Sequence, residues 1–215
     1  MKTKVNFYFF CISLLLLFSY CSDKKNVVEV YLLNNRIKSY EGKPVEQILN
    51  LDTLDIDRKL YLQNASLDLK DSCFIHSGKF NVEEKDLNEK PFISNNEILK
   101  FNTKTSEIIF SKSAIEKIQN LKPNNIKSIQ FTICVDKKPT LNGYFTYSFS
   151  SYIPTTNFIF FHNPRDFKSI FKRKNQNEFI LNYNNKCAKF KPILNDLKKY
   201  PELLKAFKNS NRLIN

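Results

Sequence analysis

The clearest rhythm in the chain lies between Ser128 and Phe149. Ile129, Phe131, Ile133 and Val135 alternate with Ser128, Gln130, Thr132 and Cys134, the period of two expected of a strand with one buried face. Asp136-Lys137-Lys138-Pro139 then has turn composition. After it, Phe145, Tyr147 and Phe149 alternate against Tyr144, Thr146 and Ser148. The two runs predict an antiparallel hairpin. Residues 27–33, rich in β-branched and aromatic side chains, predict an earlier strand that residues 36–40 extend or pair with. Four further strands are expected over 98–102, 106–110, 157–161 and 178–183.

Helical spacing appears in fewer places. Ser113-Ala114-Ile115-Glu116 fits a capping box, and Ala114, Ile115, Ile118 and Leu121 place an apolar stripe on the helix that follows. Pro123-Asn124-Asn125 stops it. Residues 164–174 predict a basic helix with Phe167, Ile170 and Phe171 on one side. Residues 192–207 predict one or two amphipathic helices, with Leu194, Leu197, Leu203, Leu204 and Phe207 as the buried stripe and Pro201 starting the second. A short helix is expected over 44–49, with Pro44 in its first turn. Across 51–95, Asp, Asn and Lys interrupt small clusters such as Leu60-Tyr61-Leu62 and Cys73-Phe74-Ile75, so short strands and loops are expected there. Strands joined by hairpin-like connections, with two to four short helices, predict an α+β fold on a mainly antiparallel sheet.

The amino terminus follows a different logic. Lys2 and Lys4 precede an apolar run over residues 5–18, and Phe18-Ser19-Tyr20-Cys21 closes it before Ser22-Asp23-Lys24-Lys25 turns polar. That order is the layout of a secretory signal. The run of about 14 residues is short for a bilayer crossing, which needs roughly 20. The expected organisation is a cleaved signal over 1–20, a tether over 21–26 and a single α+β domain over 27–215, with a subdivision near residue 96 as the variant.

Without residues 1–20 the formal charge of +13 becomes +11, because only Lys2 and Lys4 leave. From Arg165 onward there are 13 Lys or Arg against 4 acids, so most of the excess sits at the carboxy-terminal end. Lys172, Arg173, Lys174, Lys198 and Lys199 are the candidate binding residues. A charge this uneven suits an acidic protein or envelope component, or the anionic face of a membrane; ordinary solubility is the plainer account. Nucleic acid is not expected as a partner, since no stacking-aromatic recognition motif occurs. Beyond Cys11 and Cys21, the chain has Cys73, Cys134 and Cys187. They permit at most one disulfide among themselves, and the sequence does not choose the pair.

The segment around Cys21 resembles a bacterial lipoprotein signal, in which the cysteine thiol receives a diacylglycerol and becomes the first mature residue. Phe18 and Tyr20 stand where the usual box has Leu and a small residue, a looser form similar to that of Bacteroidetes-like proteins. A second stretch carries a related likeness. Ile108-Ile109-Phe110-Ser111-Lys112-Ser113-Ala114, Phe131-Thr132-Ile133-Cys134-Val135-Asp136, Gly143-Tyr144-Phe145 and Ser150-Ser151 follow the order of a group of uncharacterised Bacteroidetes-like lipoproteins. The tail from Leu203 to Ile214 is similar as well. The order strand–helix–strand–strand is also similar to that of the periplasmic head domain of the SecD export subunit. The resemblance implies a shared fold and an envelope lipoprotein, lipid-anchored at Cys21 on the outer-membrane or periplasmic face; an uncleaved anchor and a secreted form are the alternatives. It carries no catalytic residue to transfer.

Few residues form a pattern that chemistry requires. His76 and His162 are far apart, each beside apolar residues. Ser150-Ser151 lacks a nucleophile elbow. Asp52, Asp55 and Asp57 lack the glycine and closing glutamate of a calcium loop. Neither metal nor cofactor is expected. The expected function is a non-enzymatic binding or structural role in the cell envelope; an envelope hydrolase with a site assembled only in three dimensions, and a lipoprotein immunity or inhibitor protein, are the alternatives.

Overall fold

The computed structural model describes residues 26–63, 65–121, 128–147, 150, 152–161, 178–184, 193–194 and 197–214. In chain order its elements are β1 (Val28–Leu32), β2 (Lys43–Pro44), α1 (Ile56–Leu62), β3 (Ser66–Asp68), β4 (Cys73–Ile75), β5 (Ile98–Asn102), β6 (Glu107–Phe110), α2 (Lys112–Asn120), β7 (Ile129–Val135), β8 (Lys138–Tyr147), β9 (Asn157–Phe161), β10 (Glu178–Tyr183), β11 (Ile193–Leu194), α3 (Pro201–Asn209) and β12 (Leu213–Ile214), with short 3-10 turns between some of them. The basic helix expected over 164–174 lies outside the described residues.

The alternating runs pair as their period requires. β7 and β8 form the expected hairpin, in register from Ile129 opposite Phe145 to Val135 opposite Lys138. Asp136 and Lys137, with φ of 51° and 66°, make the turn, and positive φ at both central positions is what the right-handed strand twist selects. Two residues suffice, so β8 starts at Lys138, inside the stretch expected to be turn. The register shifts between Ile133 and Cys134, opposite Pro139, which has no N–H to offer the ladder.

The main sheet runs β1-β7-β8-β9-β10-β6-β5-β12, with β11 paired to β10. Only β8–β9 and β5–β12 are parallel, so the fold is α+β on a mainly antiparallel sheet. A second sheet, β2-β3-β4, stands with α1 around buried Val45, Leu62 and Ala65.

Side-chain alternation divides the main sheet's surroundings. On one face, Phe101, Phe110, Phe131 and Phe145 join Ala114, Ile115 and Ile118 of α2 and Leu203, Ala206 and Phe207 of α3 in a continuous core. On the other, Tyr144 packs edge-on against Phe80 at 5.1 Å, with Phe158, Ile37 and Val82 beside them. Gly143 lies between these layers, opposite Phe131 of β7 and Asn157 of β9. A Cβ there would sit 2.8 Å from Phe131 Cζ and 2.9 Å from the Asn157 carbonyl oxygen. The ring has some freedom to shift; the backbone oxygen of a central strand has little. Gly143→Ala is therefore expected to cost about 2 kcal/mol, seen as a lower urea midpoint at unchanged m-value. An unchanged midpoint would show that the sheet yields at this point.

Five local expectations need correction. The first is the start of the helical stretch over 192–207, where Ile193–Leu194 form β11 against β10 and the α-helix begins only at Pro201. Residues 51–95 contain a helix, α1, where strands and loops were expected. Its Asp55 side chain accepts from the Arg58 amide at 2.8 Å, a local N-cap. Ile56 and Leu60 face solvent, and no core-facing stripe marks it. Residues 44–49 form a single 3-10 turn over Val45–Gln47, with Pro44 in β2 rather than in a helix. The cap of α2 is Ser111, whose hydroxyl accepts from the Ala114 amide at 3.2 Å. Ser113 lies inside the helix and donates instead to Glu97. Residues 36–40 are neither strand nor helix.

Candidate functional site: a basic cleft at the end of helix α3

Pro201 occupies the first turn of α3, where its missing N–H costs nothing. The helix turns Leu203, Ala206 and Phe207 inward and leaves Lys205 and Lys208 exposed. It ends in a Schellman closure. Asn211 adopts φ of 55°, its amide donates to the Lys208 carbonyl at 3.1 Å, and the Arg212 amide donates to that of Phe207 at 2.9 Å. These bonds satisfy the last carbonyls and reverse the chain into β12. Arg212 then fixes β12 beside β5. Its guanidinium donates to the carbonyls of Asn95 at 2.8 Å and Ile98 at 3.0 Å, and lies over the Phe207 ring, 5.5 Å from its centroid.

Parallel pairing of β12 with β5 brings the β5–β6 turn against α3. Between them opens a cleft of about 690 Å³, lined by Thr103, Lys104, Leu197, Lys198, Leu204, Lys208, Asn211 and Leu213. Three lysines and two neutral polar residues surround a floor of leucines, and among the described residues no acid lines the cleft. Of the expected binding residues, Lys198 lines this cleft. Lys199 stands on the same 3-10 turn (Leu197–Lys199), with its Nζ 5.0 Å from the centroid of the Tyr183 ring. Lys172, Arg173 and Lys174, and the lipidation candidate Cys21, lie outside the described residues. Lys104 and Lys208 were not among the expected residues. Lys208 belongs to the visibly basic tail, but Lys104 is 94 positions from Lys198, and nothing in the sequence joins them.

The start of the described chain is stitched to the same place. Asn209 of α3 donates its side-chain amide to Asn26 Oδ1 at 2.9 Å. The Val28 amide and the Arg212 guanidinium both donate to Asn95 Oδ1, at 2.8 and 2.9 Å.

Among the described residues, the candidate catalytic and metal-binding side chains have local structural contacts. His76 is buried, its ring flanked by those of Tyr61 and Tyr152 at 4.7 and 4.5 Å. Burial, aided by the nearby Arg36 charge, pushes its pKa down to about 4, so the imidazole is neutral at ordinary pH. Among the described residues its Nε2 is one of three buried side-chain atoms without a hydrogen-bond partner. The cavity it lines with Arg36 and Tyr144 measures about 10 Å³, room for one water and not for a substrate. His162 and Ser151 lie outside the described residues. Ser150 makes a local turn, its hydroxyl accepting from the Tyr152 amide at 3.1 Å. Asp52 pairs with Lys59, Asp55 caps α1, and Asp57 is the acid of that helix's first turn, where it suits the helix dipole. Among the described residues no cluster of three or more His, Cys, Asp or Glu is placed to hold a metal, and no helix is long and apolar enough to cross a membrane.

The cysteines divide. Cys73 is disulfide-bonded, and its partner lies outside the described residues. Cys134 is a free, buried thiol, pushed up to about 12 chiefly by burial, and so chemically inert. Comparison with protein-family models, with curated proteins and with solved structures finds no match.

Proposed function

We propose that this chain is a lipid-anchored cell-envelope protein, tethered through Cys21, whose folded domain works by binding an anionic partner rather than by catalysis. The basic run, apolar run and cysteine at the amino terminus support export and lipidation. A disulfide at Cys73 fits the same reading, because such bridges persist outside the reducing cytosol. The observation that carries the binding role is the cleft, with a rim of Lys104, Lys198 and Lys208 over a leucine floor.

Replacing Lys104, Lys198 and Lys208 together with glutamate is expected to weaken capture of acidic envelope material by at least about tenfold at low salt, with the difference shrinking as salt is raised. The check is a pulldown from solubilised envelopes across a salt series, with circular dichroism confirming the fold. Undiminished capture would remove the cleft from the account.

A further inference from the structure

We infer that the cleft at the end of α3 faces the membrane into which Cys21 is anchored, and that it engages the anionic headgroups of phospholipids there. This rests on the anchor reading above and adds the orientation of the domain and the class of ligand.

Position is the first argument. The described chain begins at Asn26, which is hydrogen-bonded to Asn209, the last residue of α3. Asn209 adjoins Lys208 in sequence, and Lys208 lines the cleft. The chain start therefore lies within about one helix diameter, roughly 10 Å, of the cleft rim. Five residues, 21–25, separate Asn26 from the anchor, and fully extended they reach about 17 Å. A domain held so closely presents the side from which its tether leaves, and two stitches tie the chain to that side: Asn26 to Asn209, and Val28 to the Asn95 that Arg212 also holds.

Chemistry is the second. Lys104 and Lys208 form no ion pair among the described residues, unlike Lys38, Lys59, Lys79, Lys85 and Lys117. With Lys198 they ring Leu197, Leu204 and Leu213. Ammonium groups over an apolar floor match an anionic phosphate joined to a glycerol–acyl body. Tethering supplies the high effective concentration that lets a weak contact of this kind persist.

The other exposed feature of the domain lies elsewhere. Ile48, Leu49, Ile56, Leu60, Leu69 and Phe74 are the large exposed apolar side chains of the β2–β4 unit. Just past that unit the Gly78 carbonyl accepts from the Tyr144 hydroxyl of β8 at 2.7 Å, on the sheet face opposite the core that holds α3. Its six acids outnumber its four bases over residues 43–75, so it is the wrong sign for an anionic surface.

The test uses protein purified from membranes in detergent and reconstituted in vesicles of phosphatidylcholine alone or of phosphatidylcholine with phosphatidylglycerol. Flotation with the neutral vesicles, and its loss in Cys21→Ser, reports the anchor. The labelling rate of individual lysines by a water-soluble amine reagent, read by mass spectrometry, reports the cleft. Lys104, Lys198 and Lys208 are expected to label about fivefold more slowly on the anionic vesicles, with the protection lost in high salt and Lys85 unaffected. Equal labelling on both compositions by protein that floats would overturn the inference and leave the anchor intact. Protein that fails to float would overturn the anchor reading; the lysines would still report on the anionic vesicles, where an absence of protection would overturn the cleft as well.

Discussion

Replacing Phe207 with alanine is expected to destabilise the domain by about 4 kcal/mol, the largest effect among the single changes considered. Phe207 is 1 % exposed and Phe101, on β5, is equally buried. Their rings stack with centroids 5.5 Å apart. The loss combines the transfer term for a buried aromatic with the cavity left behind, because α3 is pinned at both ends and collapses poorly into the space. One end is the packing of Leu197 and Leu203 in the same core; the other is the Schellman closure that reads its carbonyl. Phe207→Leu, which keeps most of the volume, is expected to cost about 1–2 kcal/mol. Equilibrium urea unfolding measures both. A loss under 1 kcal/mol for the alanine variant would mean that α3 does not complete the main core.

The second large effect is at Glu97. This residue is only 8 % exposed, and it ties two elements together. Its carboxylate accepts from the Ser94 amide at 2.9 Å, the Ser94 hydroxyl at 2.7 Å, the Ser113 hydroxyl at 2.8 Å and Lys117 Nζ at 2.8 Å. The turn before β5 and the exposed side of α2 are thus joined through one charged group. Burial alone would raise its pKa, but the Lys117 ammonium and the Ser94 and Ser113 donors outweigh it and bring the value down to about 2. Because the folded value lies below the unfolded one, near 4.5, the network stabilises the protein above that pH. The contribution fades as pH falls from about 5 towards 2. Glu97→Gln is expected to lose about 2–3 kcal/mol at neutral pH, and the gap from wild type is expected to narrow as the solution is acidified. Denaturant melts at a series of pH values check the sign as well as the size. A gap that stayed constant with pH would show that the carboxyl is not held ionised by this network.

Much of the sheet was legible because apolar and polar residues alternate along its strands, as in β7 and β8, although the structure buries both faces of those two strands rather than one. Helices α2 and α3 were legible from their helical spacing, through Ala114, Ile115 and Ile118 and through Leu203 and Phe207. What escaped follows a common cause: it is not written in core-facing periodicity. Helix α1 turns Ile56 and Leu60 to solvent and buries only Leu62, so its apolar residues do not mark a stripe. Strand β12 has two residues and exists by virtue of its partner β5 and of Arg212. The cap of α2 shifted by two residues because two serines compete for the role, and Ser113 is claimed by Glu97, 16 positions away.

The cleft divides along the same line. Charge excess pointed to the carboxy-terminal end, and Lys198 lies in it. Lys104 arrives through a parallel strand pairing that no local pattern announces. His76 was legible as a residue beside apolar neighbours; its enclosure by Tyr61 and Tyr152, which come from distant segments, was not.

The central claim is that the folded domain acts from a membrane to which it is bound through Cys21, and metabolic labelling with palmitate tests it most directly. Cells producing the chain are expected to yield a labelled protein in the membrane fraction, and Cys21→Ser is expected to yield an unlabelled one. Persistent labelling of Cys21→Ser, or an unlabelled wild-type chain, would contradict the account.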